Sequence, residues 1–263
     1  MYSKSKTMTF YKYQGTGNDF ILFDNREGNI NCSTEQIAKM CDRHFGIGAD
    51  GLMLLERADG YDFKMVYYNS DGKESTMCGN GGRCLTAFAK SLGIIGSAAR
   101  FLATDGEHKA TISEDGEVSL HMQNVAGINM QDGYTIMNTG SPHYVIMVKD
   151  VNGVDVFAEG RKIRNQSEFQ PDGINVDFVQ LHDGKLVVRT YERGVENETL
   201  SCGTGVVAAA IAVTAKFMGE FSTDIETPGG DLEVSFIKDN LTSATDIVLT
   251  GPAKFVFQGE INI

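Results

Sequence analysis

The sequence predicts an α/β protein of the α+β type, with two pseudo-symmetric domains, each a strand-rich roll or barrel around one central apolar helix. Three observations carry this expectation. Short β-branched or aromatic runs bounded by Gly, Asp or Asn outnumber every other signal. Long helical patterns are few, and the two most apolar ones each follow a glycine-rich turn. Those turns echo one another: Met77-Cys78-Gly79-Asn80-Gly81 precedes the first helix and Ser201-Cys202-Gly203-Thr204-Gly205 the second. The pattern C-G-x-G-helix therefore occurs twice, as an internal repeat would place it.

Taken along the chain, the residues from Thr34 to His44 fit an amphipathic helix with Thr34 as N-cap. Ile37 and Cys41 lie four residues apart on one face of it, which makes Cys41 a packing residue. Gly46-Ile47-Gly48-Ala49-Asp50-Gly51 satisfies G-x-G-x-x-G. It follows a helix and precedes the strand-like run Leu52 to Leu55, the reverse of a dinucleotide fingerprint, so a Rossmann site is rejected. Phe63 to Tyr68 reads as a strand, and a helix from about Gly82 to Leu92 follows, apolar nearly all round and hence central. Glu117 to Met122 is a strand. The stretch from Val125 to Asp132 is short of strand signal and is taken as the boundary, giving domains 1–125 and 126–253. Further strands are expected at Tyr144 to Val148, Ile174 to Val179 and Leu186 to Tyr191. A second apolar helix from about Gly205 to Met218 comes next, then strands at Leu232 to Phe236 and Phe255 to Gln258.

Composition narrows the function classes. A chain of 263 residues with 41% apolar and 22% charged residues is long enough to bury a core and close to globular averages. Its 35 acidic and 23 basic residues give a net charge of -12, which repels nucleic-acid phosphates and anionic membranes. Neither is an expected partner. The polar, lysine-bearing Met1 to Phe10 has no apolar stretch behind it, and the longest apolar run, Val206 to Ala215, is about half of what a bilayer requires. A cytoplasmic protein is expected. The five cysteines (Cys32, Cys41, Cys78, Cys84 and Cys202) lack CxxC spacing, so neither a disulfide scaffold nor a metal site is expected.

A cysteine at a helix start meets unpaired N–H groups and about half a positive charge, which favour the thiolate. Flanking glycines let backbone amides crowd a bound group, and two such termini facing one another would hold a carboxylate between two thiols. One buried Cys-Gly is usually an inert packing feature; its repetition points to paired acid/base groups. Such a pair on opposite sides of a carbon suits inversion of a stereocentre, with one thiolate as base and the opposite thiol as acid. A redox couple would come as CxxC, and a metal site would bring further Cys or His nearby. His143, after Ser141-Pro142, and Glu192-Arg193, ten residues before Cys202, are further polar groups between strand signals.

From about Phe10 to the C-terminus the sequence resembles the diaminopimelate epimerase family, whose members interconvert LL- and meso-diaminopimelate without pyridoxal. The resemblance rests on seven segments in order: Gly15-Thr16-Gly17-Asn18-Asp19-Phe20, Asp42-Arg43-His44 with Gly46 to Asp50, Tyr68-Asn69-Ser70-Asp71-Gly72, Met77 to Cys84, Gly173-Ile174-Asn175-Val176, Tyr191-Glu192-Arg193-Gly194 and Ser201 to Gly205. It implies a site in the cleft between the two domains, with Cys78 and Cys202 as acid/base residues and Glu192 and His143 as supporting polar groups near the reacting ammonium. Gly79 with Asn80, and Gly203 with Thr204, would hold the reacting end of a small-molecule substrate. Asn18, Asn69, Asn175 and Arg193 would recognise its remote end. It also implies no cofactor, no metal, and a place in lysine and peptidoglycan-precursor biosynthesis; a homodimer is compatible with it.

Two positions depart from the family pattern: Gly51 stands where some members carry a side-chain amide, and Ser141-Pro142-His143 replaces Asn-Pro-His, with Ser141 reaching less far. Met1 to Thr7 precede the resemblance and are read as a flexible extension, while residues of about 254–263 are expected to return and complete a sheet of the first domain. Two rival readings share the fold. A proline or hydroxyproline racemase would usually carry His where Asn80 stands, and a non-catalytic binding member would lack one of the two cysteines.

Overall fold

The computed structural model describes residues 7–262. All but the last residue of the expected extension, Met1 to Thr7, lies outside that range, and Thr7 opens a strand. The chain divides into two compact units: the segment through Leu120 together with Pro252 onward, and His121–Gly251. Each is described by itself.

The first unit opens with an antiparallel hairpin, β1 (Thr7–Gly15) and β2 (Asn18–Asp24). Its two-residue turn has positive φ at both Thr16 (48°) and Gly17 (82°), as a type I′ turn requires. Helix α1 (Thr34–Cys41) crosses over to β3 (Gly51–Glu56), which lies parallel to β2. β4 (Phe63–Asn69) returns antiparallel and is flanked by the short β5 (Glu74–Ser75). Helix α2 (Gly79–Ser91) then crosses to β6 (Ala98–Ala103), parallel to β4, and β7 (Gly106–Ile112) and β8 (Glu117–His121) continue as an antiparallel meander.

The second unit begins with the short β9 (Val125–Ala126) and β10 (Asn129–Met130), so the stretch that looked poor in strand signal contains two minimal strands. It then repeats the plan of the first. β11 (Tyr134–Asn138) and β12 (Pro142–Met147) are antiparallel, α3 (Val156–Arg164) crosses to β13 (Asn175–His182), parallel to β12, and β14 (Lys185–Glu192) returns antiparallel. The short β15 (Asn197–Thr199) flanks β14. Helix α4 (Gly203–Val213) crosses to β16 (Gly219–Thr227), parallel to β14, and β17 (Gly230–Lys238) and β18 (Ser243–Pro252) complete the meander. The last strand, β19 (Lys254–Asn262), pairs antiparallel with β1.

The order strand, strand, helix, three strands, helix, three strands thus occurs twice, with parallel and antiparallel pairings at the same stations. The repeated Cys-Gly turn is the sequence trace of this duplication. Around α4 the core is aliphatic, from Val206, Val207, Ala208 and Ile211 to Val234, Ile247 and Leu249. α2 is less apolar than its pattern predicted: it buries Asn80, Arg83 and Thr86 beside Leu85, Phe88 and Ala89.

Other boundaries differ for local reasons. α1 is capped by Ser33 rather than Thr34, because the Ser33 hydroxyl accepts from the Gln36 N–H while the Gln36 side chain accepts from the Ser33 N–H. It stops at Cys41, where the Asp42 carboxylate takes the backbone N–H groups of His44 and Phe45. α2 and α4 begin at Gly79 and Gly203, before the expected Gly82 and Gly205, since glycines read as a turn are already the first helical residues. α4 also ends at Val213, where the Thr214 hydroxyl bonds back to the Ile211 carbonyl.

Cys41 and Cys84 are buried, and burial pushes both thiols up to about 12. In the unfolded chain they ionise at about 8.5. Between those values the unfolded state binds fewer protons than the native state, so stability is lost as pH rises through that window. The urea-unfolding midpoint is expected to fall from pH 8.5 to 11. Cys84→Ala should start lower, through lost packing, and fall less steeply than the parent.

Candidate functional site

Cys78 and Cys202 are the N-cap residues of α2 and α4, each in extended conformation (φ/ψ of -109°/127° and -119°/112°). Neither thiol caps its helix. The glycines that follow are required by packing. A Cβ on Gly81 would lie 2.6 Å from Met53 Cε, and one on Gly205 would overlap Asp177 Oδ1. In both units the helix backbone lies directly on side chains of the sheet, and each cysteine stands at the start of a buried helix, Cys78 half-buried and Cys202 buried.

In the first unit the residues around Cys78 form one hydrogen-bonded set. Asn18 Oδ1 accepts from the Cys78 thiol at 3.6 Å and from Asn80 Nδ2 at 3.3 Å, while Asn18 Nδ2 donates to Asp50 Oδ2 at 2.7 Å. Arg43 bridges Asp50 and Asp19, and Lys12 pairs with Asp19 at 2.8 Å and also donates to the Gly48 carbonyl. The Arg43 guanidinium and the Lys12 ammonium hold the Asp19 carboxyl at about 2, against the opposing effect of its burial. This ion network demands a donor from Asn18 on one side and so turns its carbonyl toward Cys78. Asn80 Oδ1 in turn accepts from Arg83 Nη2 at 3.0 Å. Asn69, at the end of β4, is exposed, and its backbone closes the turn to Gly72 and Lys73.

The second unit assembles more of the expected residues. His143 and Asp177 are fully buried, and His143 Nδ1 donates to Asp177 Oδ2 at 2.7 Å. Nε2 is thereby the acceptor, facing Asn175 Nδ2 at 3.3 Å and the Thr204 hydroxyl at 2.9 Å. Thr204 Oγ1 is 3.5 Å from Cys202 Sγ. A continuous chain Asp177–His143–Thr204–Cys202 results. Asn175 Nδ2 also donates to Ser141 Oγ at 2.8 Å, and Asn175 Oδ1 accepts from the Arg193 N–H at 2.8 Å. Ser141 Oγ further accepts from Arg193 Nη2 at 3.4 Å, so the shorter side chain at 141 still ties β12 to β13 and β14.

One expectation is corrected. The helix terminus was expected to favour a thiolate, yet burial pushes the Cys202 thiol well above its ordinary value. The carboxylates of Glu192 and Asp177 act in the same direction, and the Thr204 hydroxyl and Gly205 N–H oppose them without prevailing. In a dry pocket beside two carboxylates, desolvation outweighs the partial charge of a helix end.

Sequence reasoning missed Asp177, Asp50 and Arg83. Asp177 was legible as a lone acid inside Ile174 to Val179, a run apolar enough to be buried on both faces, two residues after Asn175. Gly51 is explained by packing: a Cβ there would lie 2.5 Å from Tyr67 Cε2 and 2.6 Å from the Tyr68 carbonyl oxygen. The Tyr67 ring fills the space that a side chain at 51 would need.

The diaminopimelate epimerase family model matches residues 10–127 and 135–256. A diaminopimelate epimerase of Flavobacterium psychrophilum is 53% identical, over 97% of this chain and 100% of that one. Another from Chlorobaculum tepidum is 41% identical, over 95% and 99%. A hydroxyproline epimerase from Agrobacterium vitis, solved with trans-4-hydroxy-L-proline bound, superposes with a TM-score of 0.73 over 100% of this chain and 94% of that one, but at 15% identity it shares the fold alone. The full-length matches, with both Cys-Gly helix starts in place, make this chain a member of the diaminopimelate epimerase family.

Proposed function

We propose that the chain interconverts LL- and meso-diaminopimelate by a two-base mechanism in which Cys78 and Cys202 are the acid/base pair. One thiolate removes the α-proton, the carbanion's charge spreads into the substrate carboxylate, and the opposite thiol returns a proton to the other face. The proton lost to one sulfur is matched by the one given by the other, so the step needs no redox partner and is assigned no cofactor. The N–H groups at the starts of α2 and α4 suit the charge that builds on the carboxylate. Supporting this reading above all is the duplicated strand plan, which puts a cysteine with an uncapping thiol at the same station twice. The reading requires the two helix mouths to share one substrate, with the site in a cleft between the domains.

Within it, Gly79, Asn80, Gly203 and Thr204 serve the reacting end, Glu192 and His143 its ammonium, and Asn18, Asn69, Asn175, Ser141 and Arg193 the remote end. Buried polar groups left unpaired cost about 1–3 kcal/mol each, which disfavours shorter amino acids. The same reading has the chain work in the cytoplasm, in lysine and peptidoglycan-precursor synthesis. Among the described residues no helix is long and apolar enough to cross a membrane.

Incubated with LL-diaminopimelate in heavy water and no added pyridoxal phosphate, the enzyme should yield meso product with deuterium at the inverted carbon. Conversion without solvent deuterium, or inversion of proline instead, would refute the reading. Cys78→Ala and Cys202→Ala should each lower kcat by about 10²–10⁴-fold. Asp177→Asn replaces the carboxylate that orients His143, and thereby Thr204, with a neutral amide that can turn its NH2 toward Nδ1 and reverse the tautomer. With thermal melts confirming a folded variant, its kcat should fall by about 10²-fold, as expected for a misplaced site group.

A further inference from the structure

The duplication allows the two thiols' surroundings to be compared residue by residue, and the comparison reveals opposite buried charges. In the second unit Asp177 pairs across the ladder with Thr190, and His143 partners Asn175 at the start of β13. In the first, the same stations are held by Met53 opposite Tyr67, and by Phe20 beside Gly51 at the start of β3. Met53 meets Gly81 just as Asp177 meets Gly205. The buried carboxylate and imidazole of one unit are therefore replaced by the apolar Met53 and Phe20 in the other, with Tyr67 where Thr190 stands.

The helices differ in the reverse sense. Five residues after Cys202 stands Val207, part of the aliphatic core; five residues after Cys78 stands Arg83. Arg83 is fully buried, at 0% exposure. Its Nη2 donates to Asn80 Oδ1 at 3.0 Å and Thr16 Oγ1 at 3.3 Å, while Nε and Nη1 find no protein acceptor. A guanidinium keeps its proton, so this is a buried positive charge that no carboxylate among the described residues pairs with.

We propose that Arg83 is a positioning residue for Cys78: its buried charge, set behind the α2 N-terminus and tied to it through Asn80, biases Cys78 toward the thiolate. The proposal rests on the two-thiol reading of the site. Other titratable groups among the described residues also act on Arg83. The Cys84 thiol, next to it on α2, is kept protonated by its own burial, and Glu117 of β8 acts on it as well. From β2, Asp19 is neutralised by Lys12 and Arg43, and Asp105, beside the Met77 backbone, is paired with His108 at 3.0 Å. The thiol's bond to the Asn18 carbonyl opposes ionisation, but it is long, at 3.6 Å, and carries no full charge. Cys78 is half-buried at the helix mouth, where an ionised sulfur is still partly hydrated.

The native full-length protein is treated with iodoacetamide across pH 5–11, and alkylation of the Cys78 and Cys202 peptides is followed by mass spectrometry. In the parent, Cys78 should reach half its maximal rate below the ordinary thiol value of about 8.5, and Cys202 above it. Arg83→Met should move the Cys78 half-point up by about one to three pH units, Arg83→Lys should restore part of the shift, and Cys202 should not respond. An unmoved Cys78 profile in folded Arg83→Met overturns the proposal. If Arg83→Met does not fold, the parent decides: a Cys78 half-point at or above about 8.5 overturns it, and a lower one sustains it. The readout uses no substrate, so failure of the epimerase assay would be seen separately.

Discussion

Everything at this site follows from how closely two helices lie on their sheets. Gly81 and Gly205 have no room for a Cβ, one against Met53 and the other against Asp177. That approach buries the first turn of each helix and leaves only its mouth open. The amides there lack intrahelical partners, and the residue that turns the chain into the helix must be extended. A serine or aspartate at that N-cap would satisfy the amides with its own side chain. Cysteine makes no such cap bond at either helix and sets a thiol at the helix start instead. A larger residue at 205 would press on the buried Asp177 carboxylate, whereas at 81 the flexible end of Met53 would have to move aside.

The fold was legible where the signal was a run of β-branched or aromatic residues, as at Phe63 to Tyr68 and Leu186 to Tyr191. It was faint where alternation dilutes the apolar content. β16 shows why: Glu220, Asp224 and Glu226 point outward, and only Ile225 and Thr227 are buried. β7 likewise buries His108, Ala110 and Ile112 between exposed polar residues. The helix starts were read late, because glycine marks both a turn and a helix that must touch its sheet. The two cysteines were legible because repetition is visible without structure. The polar groups behind them were harder to read: Asp177 shows only as a lone acid in an apolar strand, and Arg83 lies on a helix whose apolar neighbours conceal it.

That register also shows what duplication leaves unchanged and what it lets drift. Backbone pairing is the same in both units, since every strand needs its ladder partner. The buried side chains between helix and sheet are free to diverge provided that volume is kept, and here they diverge in polarity. Phe20, Met53 and Tyr67 fill the first unit much as His143, Asp177 and Thr190 fill the second. The second unit thus buys orientation of Thr204 through a chain of hydrogen bonds, whereas the first orients Asn80 through Arg83.

Divergence of this kind matters to a pair of thiols because only mixed protonation states are useful to them. Two sulfurs of equal proton affinity, titrating independently, are singly protonated in roughly half of all molecules at their midpoint, and those molecules are divided between two arrangements. Separate the affinities by about two pH units and, midway between them, one arrangement holds more than four fifths of the population. A buried cation behind Cys78, and the buried Asp177 and half-buried Glu192 carboxylates beside Cys202, act in that direction. The carboxylates oppose charge on the sulfur that is to donate, and the guanidinium favours charge on the sulfur that is to accept. In the proposed two-thiol reaction, two copies of one motif thus serve as acid and base without any change in the two cysteines themselves.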